Sequence, residues 1–192
     1  MSRYPRGVRP EGWLVVVDLQ QVFRDPDSPW TTPRFEEIRP NVRRLVQAFG
    51  DHVVFTRFVA PEKPEGAWVD YYEQYDFALQ PPDAPLYQLA EDPGPAPVLD
   101  AITFGKWGPE LAGIVGDGPI TVTGVATDCC VLSTVLPAAD AGVPVRVVSD
   151  ACAGASDEAH DDTLQILGCY APLVQVATTA QVLGGLESGG GA

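Results

Sequence analysis

The sequence predicts an α/β domain built on a doubly wound, mostly parallel Rossmann-like sheet, strand order 3-2-1-4-5-6, with helices on both faces. Short, near-continuously apolar runs recur at residues 13–18, 52–57, 120–125, 145–149 and 173–176, as strands covered on both faces must be. Helical patterns fill the intervals at 34–49, 109–115, 131–142 and 156–167. This alternation selects parallel crossover connections over hairpins.

Each element has its own signal. Residues 13–18, Trp-Leu-Val-Val-Val-Asp, form the first strand, and 52–57 the second. A short run at 97–102 is the third, and 120–125 the fourth. The 131–142 helix sets Leu132, Val135, Leu136 and Ala139 at helical spacing and stops at Gly142. Ser156, with Glu158 and His160 just inside, opens the 156–167 helix, and Gly168 suits its end. The segment 61–97 is unlike the rest: rich in Pro and Asp, weakly periodic, and holding Trp68, Tyr71, Tyr72, Tyr75, Phe77 and Tyr87. Segments this long inside a compact domain are lids or excursions; apolar cover, oligomer interface and substrate lid all stay open for it. One domain is expected over 13–183, between an N-terminal tail at 1–12 and a flexible Gly-rich tail at 184–192.

Composition narrows the function. The 192 residues suffice for a sizeable core. A formal net charge of −14 argues against nucleic acid as a partner, because phosphates are repelled by such a surface. No apolar run reaches membrane-spanning length, and residues 12–17 are too short for a signal peptide, so a cytoplasmic protein is expected. The four cysteines, Cys129, Cys130, Cys152 and Cys169, show no CxxC spacing and are read as reduced thiols. No GxGxxG follows the first strand, which argues against a dinucleotide site. Asp18 lacks a second Asp two residues on, which excludes phosphoryl transfer of the haloacid-dehalogenase kind.

The chemistry converges on two strand ends. Gly124-Val-Ala-Thr-Asp-Cys-Cys-Val131 joins the fourth strand to a helix, and a thiol in a first helical turn sits where unpaired N–H groups and the dipole stabilise thiolate. In the order 3-2-1-4-5-6 the first and fourth strands are neighbours. The crevice at their carboxyl ends is where ligands bind, so Asp18 and Cys130 should face each other there. A carboxylate beside a thiol can take its proton and return it to a leaving group. The plainer readings are a turn-capping Asp18 and a packed Cys130.

The runs Leu14-Val-Val-Val-Asp-Leu-Gln-Gln-Val-Phe23, Gly124-Val-Ala-Thr-Asp-Cys-Cys-Val131 and Val145-Arg-Val-Val-Ser-Asp-Ala151 resemble the isochorismatase-like cysteine hydrolase superfamily. The likeness extends from Trp13 to Thr179 and is weakest over 61–97. It implies that Cys130, preceding Val and three residues after Thr127, is the nucleophile and that Asp18 is its acid–base partner. It also implies a cis peptide between Val125 and Ala126, with the Ala126 and Cys130 amides as oxyanion donors. A catalytic lysine completes the family's triad. Its usual position falls near Ala101, while the chain's two lysines are Lys63 and Lys106. Lys106 lies about one helical turn further along the chain. Lys106 is taken as the catalytic lysine, filling the role from a rearranged loop; the plainer reading is that the lysine is missing and Lys106 is a solvated loop residue.

The resemblance implies an amidohydrolase acting on a small amide, ureide or lactam, and a homodimer or homotetramer. Two readings compete: isochorismatase-type vinyl-ether hydrolysis, and a non-catalytic binding or scaffold protein that kept the fold. Nicotinamidases in the superfamily hold a metal through an Asp-x-His pair and a further His. Here the histidines are His52 and His160, and Asp51-His52 has the wrong spacing, so neither metal nor cofactor is expected. Phe23, Arg57, Trp68, Tyr72 and Trp107 are pocket candidates. Arg57 is suited to a substrate carboxylate, or to one of the chain's 26 acidic residues.

Overall fold

Alternating side chains on the first strand decide how the molecule layers. In the computed structural model, which describes residues 10–184, Leu14 and Val16 point to one side of β1 (Trp13–Val17) and Val15 and Val17 to the other. All four are completely buried, as a central parallel strand requires. The tails expected over 1–12 and 184–192 lie outside the described residues, apart from 10–12 and 184.

Six parallel strands form one sheet, order β3-β2-β1-β4-β5-β6. The others are β2 (Val53–Phe58), β3 (Val98–Ala101), β4 (Ile120–Val125), β5 (Val145–Ala153) and β6 (Val174–Ala177). The doubly wound order read from the sequence is the order found. β5 runs beyond its expected end: Val122 pairs with Val147 but Gly124 with Cys152, so β5 carries the extra residues of an irregularity. Polar Ser149 and Asp150 fall at that irregularity, where an apolar-run reading stops short.

The helices are α1 (Gln21–Arg24), α2 (Phe35–Phe49), α3 (Trp68–Gln74), α4 (Pro109–Val115), α5 (Leu132–Asp140), α6 (Asp157–Gly168) and α7 (Thr179–Gly184). α2 packs Phe35, Ile38, Val42, Leu45 and Phe49 against Leu14 and Val16. On the opposite face Leu111, Val131, Val135 and Ala138 from the α4 and α5 segments meet Val15 and Val17. At about 1.5–3 kcal/mol per fully buried side chain, these two faces dominate the stability of the domain. Ser156 caps α6 by accepting from the Ala159 amide at 3.1 Å. The weakly periodic stretch holds α3 and two short 3₁₀ turns, Asp76–Ala78 and Pro85–Tyr87. It has a core of its own around Phe58, Tyr72 and Tyr87, so it is at least an apolar cover. No helix among the described residues is long and apolar enough to cross a membrane.

Candidate active site

Adjacent parallel strands bring the ends of β1 and β4 to one level, with Val17 in register with Gly124. Gly124 has φ +114°, and a Cβ there would sit 2.0 Å from the Val17 carbonyl oxygen. The position therefore requires glycine, which keeps the two strand ends in close contact.

Asp18 is the first residue past β1. It is completely buried and has φ +47°, a conformation that Asp tolerates better than most residues. Two contacts orient its carboxylate. Oδ1 accepts from the Thr56 hydroxyl at 2.7 Å, and Thr56 Oγ1 in turn accepts from the Asp18 amide at 3.2 Å. Oδ2 lies 3.0 Å from Lys106 Nζ, with both side chains fully shielded from solvent. Lys106 Nζ also donates to the Thr103 carbonyl at 2.8 Å and lies 5.1 Å from the centre of the Phe58 ring. Ion pairs removed from water hold together only with such further hydrogen bonds.

Cys130 occupies a wide helical turn, Thr127–Val131, that leads directly into α5. The peptide before it, Val125–Ala126, is cis. Several bonds fix the turn. The Cys129 and Val131 amides both donate to the Ala126 carbonyl at 3.1 Å. Thr127 Oγ1 and His160 Nδ1 are 2.8 Å apart, and Asp128 Oδ1 accepts from the Ala155 amide at 2.8 Å. α6 and the residues before it thus hold the turn from behind. Burial and the nearby Arg34 keep the His160 imidazole neutral by lowering its pKa.

Cys130 is 3% exposed and lies in the electrostatic field of both Asp18 and Lys106. Its thiol is held well above the ordinary value by its hydrogen-bonded neighbour Cys129, by burial and by the Asp18 carboxylate, with Lys106 opposing. A resting thiolate, which a helix start alone would suggest, is therefore not favoured. The proton leaves Cys130 only if a base accepts it during reaction.

An aromatic cluster extends from the Phe58 ring that faces Lys106. Phe58 stacks on Phe104 at 5.6 Å, Trp68 meets Phe104 edge-on at 5.0 Å, and Tyr71 lies 5.6 Å from Phe104. Burial, together with Cys129, raises the Tyr71 phenol pKa, so it stays a neutral donor beside the thiols. Of the five pocket candidates, Trp68 belongs to this ring cluster. Tyr72, 2% exposed, packs behind Trp68 and Tyr71. Phe23 lies in the α2-side core, stacked on Trp30 at 6.2 Å. Trp107 packs against the α4–α5 side of the core. Arg57 is held by Asp100 at 2.5 and 2.6 Å, which raises its pKa, so the internal partner takes the place of a substrate carboxylate. A cavity of about 1210 Å³ opens elsewhere, between α1, the 25–33 loop and Leu86, and none of Asp18, Lys106 or Cys130 lines it.

Sequence reasoning gave no site role to Thr56, Thr134, Phe58, Tyr71 or Phe104. Only Tyr71 carried a signal, as one aromatic in a cluster. Gln20, part of the quoted first-strand run, ties that strand's exit to the cover: its side-chain amide donates to the Phe58 and Tyr87 carbonyls and accepts from the Phe58 amide. His52 lies 4.9 Å from Trp13, and among the described residues no three His, Cys, Asp or Glu gather as a metal-ligand set.

A doubly wound sheet carrying a buried Asp–Lys pair and a cysteine at the start of a helix after its fourth strand defines a class of α/β cysteine hydrolases. The family model for the isochorismatase domain matches residues 12–181, and the chain belongs to the isochorismatase-like hydrolase family. Solved structures share its fold. The cysteine hydrolase from Pseudomonas syringae pv. phaseolicola 1448A superposes with a TM-score of 0.77 at 24% identity, covering 92% of each chain. The zinc-bound pyrazinamidase of Pyrococcus horikoshii gives 0.72 at 24% identity, over 88% of this chain and 99% of that one. Nicotinamidase PncA from Bacillus subtilis gives 0.65 at 21% identity, over 85% and 97%. Among curated proteins no sequence matches this chain.

Proposed function

We propose that this protein is a cysteine-dependent amidohydrolase that cleaves a C–N bond of a small amide, ureide or lactam through a thioester on Cys130. The observation that carries the reading is the fully buried Lys106–Asp18 pair at 3.0 Å, set against a buried cysteine at the start of a helix. Asp18 takes the Cys130 proton as the sulfur attacks the carbonyl carbon. The Ala126 and Cys130 amides receive the oxyanion, and the Lys106 ammonium balances the negative charge. Collapse of the tetrahedral adduct breaks the C–N bond, and protonated Asp18 gives its proton to the leaving nitrogen. Water, deprotonated by Asp18, then hydrolyses the thioester and frees the Cys130 thiol.

The Lys106–Asp18 pair supports catalysis over a silent scaffold. Vinyl-ether hydrolysis of isochorismate finds less support, because that substrate is a dicarboxylate and both Arg57 and Lys106 are bound to aspartates. A homodimer or homotetramer belongs to the same proposal, and light scattering on the purified chain measures it.

The test is ammonia or amine release from a panel of neutral carboxamides, ureides and lactams. Cys130→Ala should abolish turnover and remove the acyl-enzyme mass shift seen with slow substrates, with the circular dichroism spectrum retained. Full turnover by that variant would sink the proposal.

A further inference from the structure

Lys106 comes from an unexpected place in the chain, and something must hold its loop over the nucleophile. The loop's own bonds are few: the Thr103 hydroxyl donates to the Gly105 carbonyl and Lys106 Nζ to the Thr103 carbonyl. Besides the Asp18 ion pair and the ring contacts of Phe104 and Lys106, two backbone contacts run to α5. The Lys106 amide donates to Thr134 Oγ1 at 3.0 Å, and the same hydroxyl donates to the Cys130 carbonyl at 2.6 Å. Thr134 is completely buried. Its one oxygen therefore joins the backbone of the lysine to the backbone of the cysteine.

A second contact lies one residue away on each side. A Cβ on Gly105 would fall 2.5 Å from the Ser133 carbonyl oxygen, so only glycine lets the loop seat this deeply. That carbonyl is the one whose helical partner would be residue 137, and Pro137 has no N–H to offer. Helix and loop thus meet at a glycine, a carbonyl without its usual helical donor and a doubly used hydroxyl.

We propose that Thr134, seated with Gly105, is the positioning residue that sets Lys106 against Asp18 and Cys130. The inference rests on Lys106 acting in the proposed chemistry. Thr134 touches no reacting atom; it acts through the lysine. Both atoms that it bridges belong to segments that converge on Asp18, so a lost bond allows the ammonium to drift, and an error of about 1 Å can cost on the order of 100-fold.

The experiment follows the rate of Cys130 alkylation by iodoacetamide against pH on the full chain. Peptide-resolved mass spectrometry separates Cys130 from Cys129, and a melting curve is recorded for each variant. Thr134→Val keeps the shape and removes both bonds. It should slow alkylation at neutral pH roughly 10- to 100-fold and move the midpoint of the profile to higher pH, while Thr134→Ser restores the wild-type profile. Lys106→Met should shift the profile similarly, and adding Thr134→Val to it should change nothing more. If Thr134→Val does not fold, Gly105→Ala supplies the same displacement from the loop side and should show the same shift. A Thr134→Val or Gly105→Ala profile superimposed on wild type, with Lys106→Met still slow, overturns the positioning role and leaves the lysine's role standing. A Lys106→Met profile equal to wild type overturns the lysine's role, and the clamp with it.

Discussion

On the sheet side of the site, Asp18, Thr56, Lys106 and Cys130 are fixed by short directional bonds and near-complete burial. On the cover side, Trp30, Trp68, Tyr71 and Phe104 meet one another through ring faces and edges and remain partly exposed. Among the described residues, Trp30 Nε1 and the Tyr72 hydroxyl in the cover are buried without a hydrogen-bond partner, and Asp18 Oδ2, also without a hydrogen bond, instead has the Lys106 ion pair, while Thr56 donates to Oδ1. Charge held in a dry site needs an exact partner, because an unpaired ion there costs several kcal/mol. Ring contacts, worth about 0.5–1.5 kcal/mol beyond burial, tolerate rearrangement. The sheet side is thus held by directional bonds, and the cover is the side that tolerates change.

The harshest way to break this contrast is at the strand contact beneath both regions. Gly124→Ala sets a Cβ 2.0 Å from the Val17 oxygen at a φ of +114°. It should cost more than about 4 kcal/mol, read as loss of soluble, cooperatively melting protein. Next comes the buried pair. Lys106→Met should lower turnover by roughly 10²- to 10⁴-fold and destabilise the fold by about 3–5 kcal/mol, because Asp18 is left buried without its cation. Adding Asp18→Asn should recover part of that stability and none of the activity; a strictly additive double mutant would show that the pair is not coupled.

A smaller effect should come from the cover. Trp68→Ala should raise KM while leaving the rate of Cys130 alkylation near wild type, since Trp68 contacts rings rather than the thiol or its base. Slowed alkylation in that variant would mean that the two regions are not separable.

The smallest change expected is a pH effect at the back of the nucleophile turn. His160 has a folded-state pKa below its ordinary value of 6.5, chiefly through burial. Its contribution to stability is therefore full above about pH 6.5 and is lost as pH falls through the folded-state value. His160→Gln should flatten the dependence of Tm on pH between about 7 and 5. The steeper acid loss below that range should remain, because Arg39 and Arg24 beside Glu36, and Arg43 and Arg39 beside Glu91, hold those carboxyls below their usual value. An unchanged slope in the variant would remove His160 from this account.

Much of this architecture was legible before any coordinates. Continuous apolar runs separated by helical patterns have few ways to bury both faces, and the parallel order follows from that constraint. The Asp18–Cys130 convergence follows from the order in turn, because neighbouring strands end at the same level. Residues 61–97 resisted reading because their order comes from ring contacts between distant positions, with no period along the chain to reveal them. Thr56 and Thr134 were silent for a similar reason: a threonine in a strand or helix looks the same whether its hydroxyl is idle or bonded 28 or 38 residues away.

What the sequence determined by itself was the set of elements, their parallel order and the placement of Asp18 and Cys130 at neighbouring strand ends, since period, strand-end position and local motif are properties of short stretches. Only the tertiary structure decided that Lys106 pairs with Asp18. Along the chain Lys106 lies about one helical turn from the family's usual position, and its ammonium lies 3.0 Å from Asp18 on a loop that meets α5 through a glycine and a shared threonine hydroxyl. The structure alone also showed what raises the Cys130 thiol pKa: Cys129, burial and the Asp18 carboxylate. A thiol's pKa answers to burial and to charges from remote parts of the chain, which no local pattern encodes.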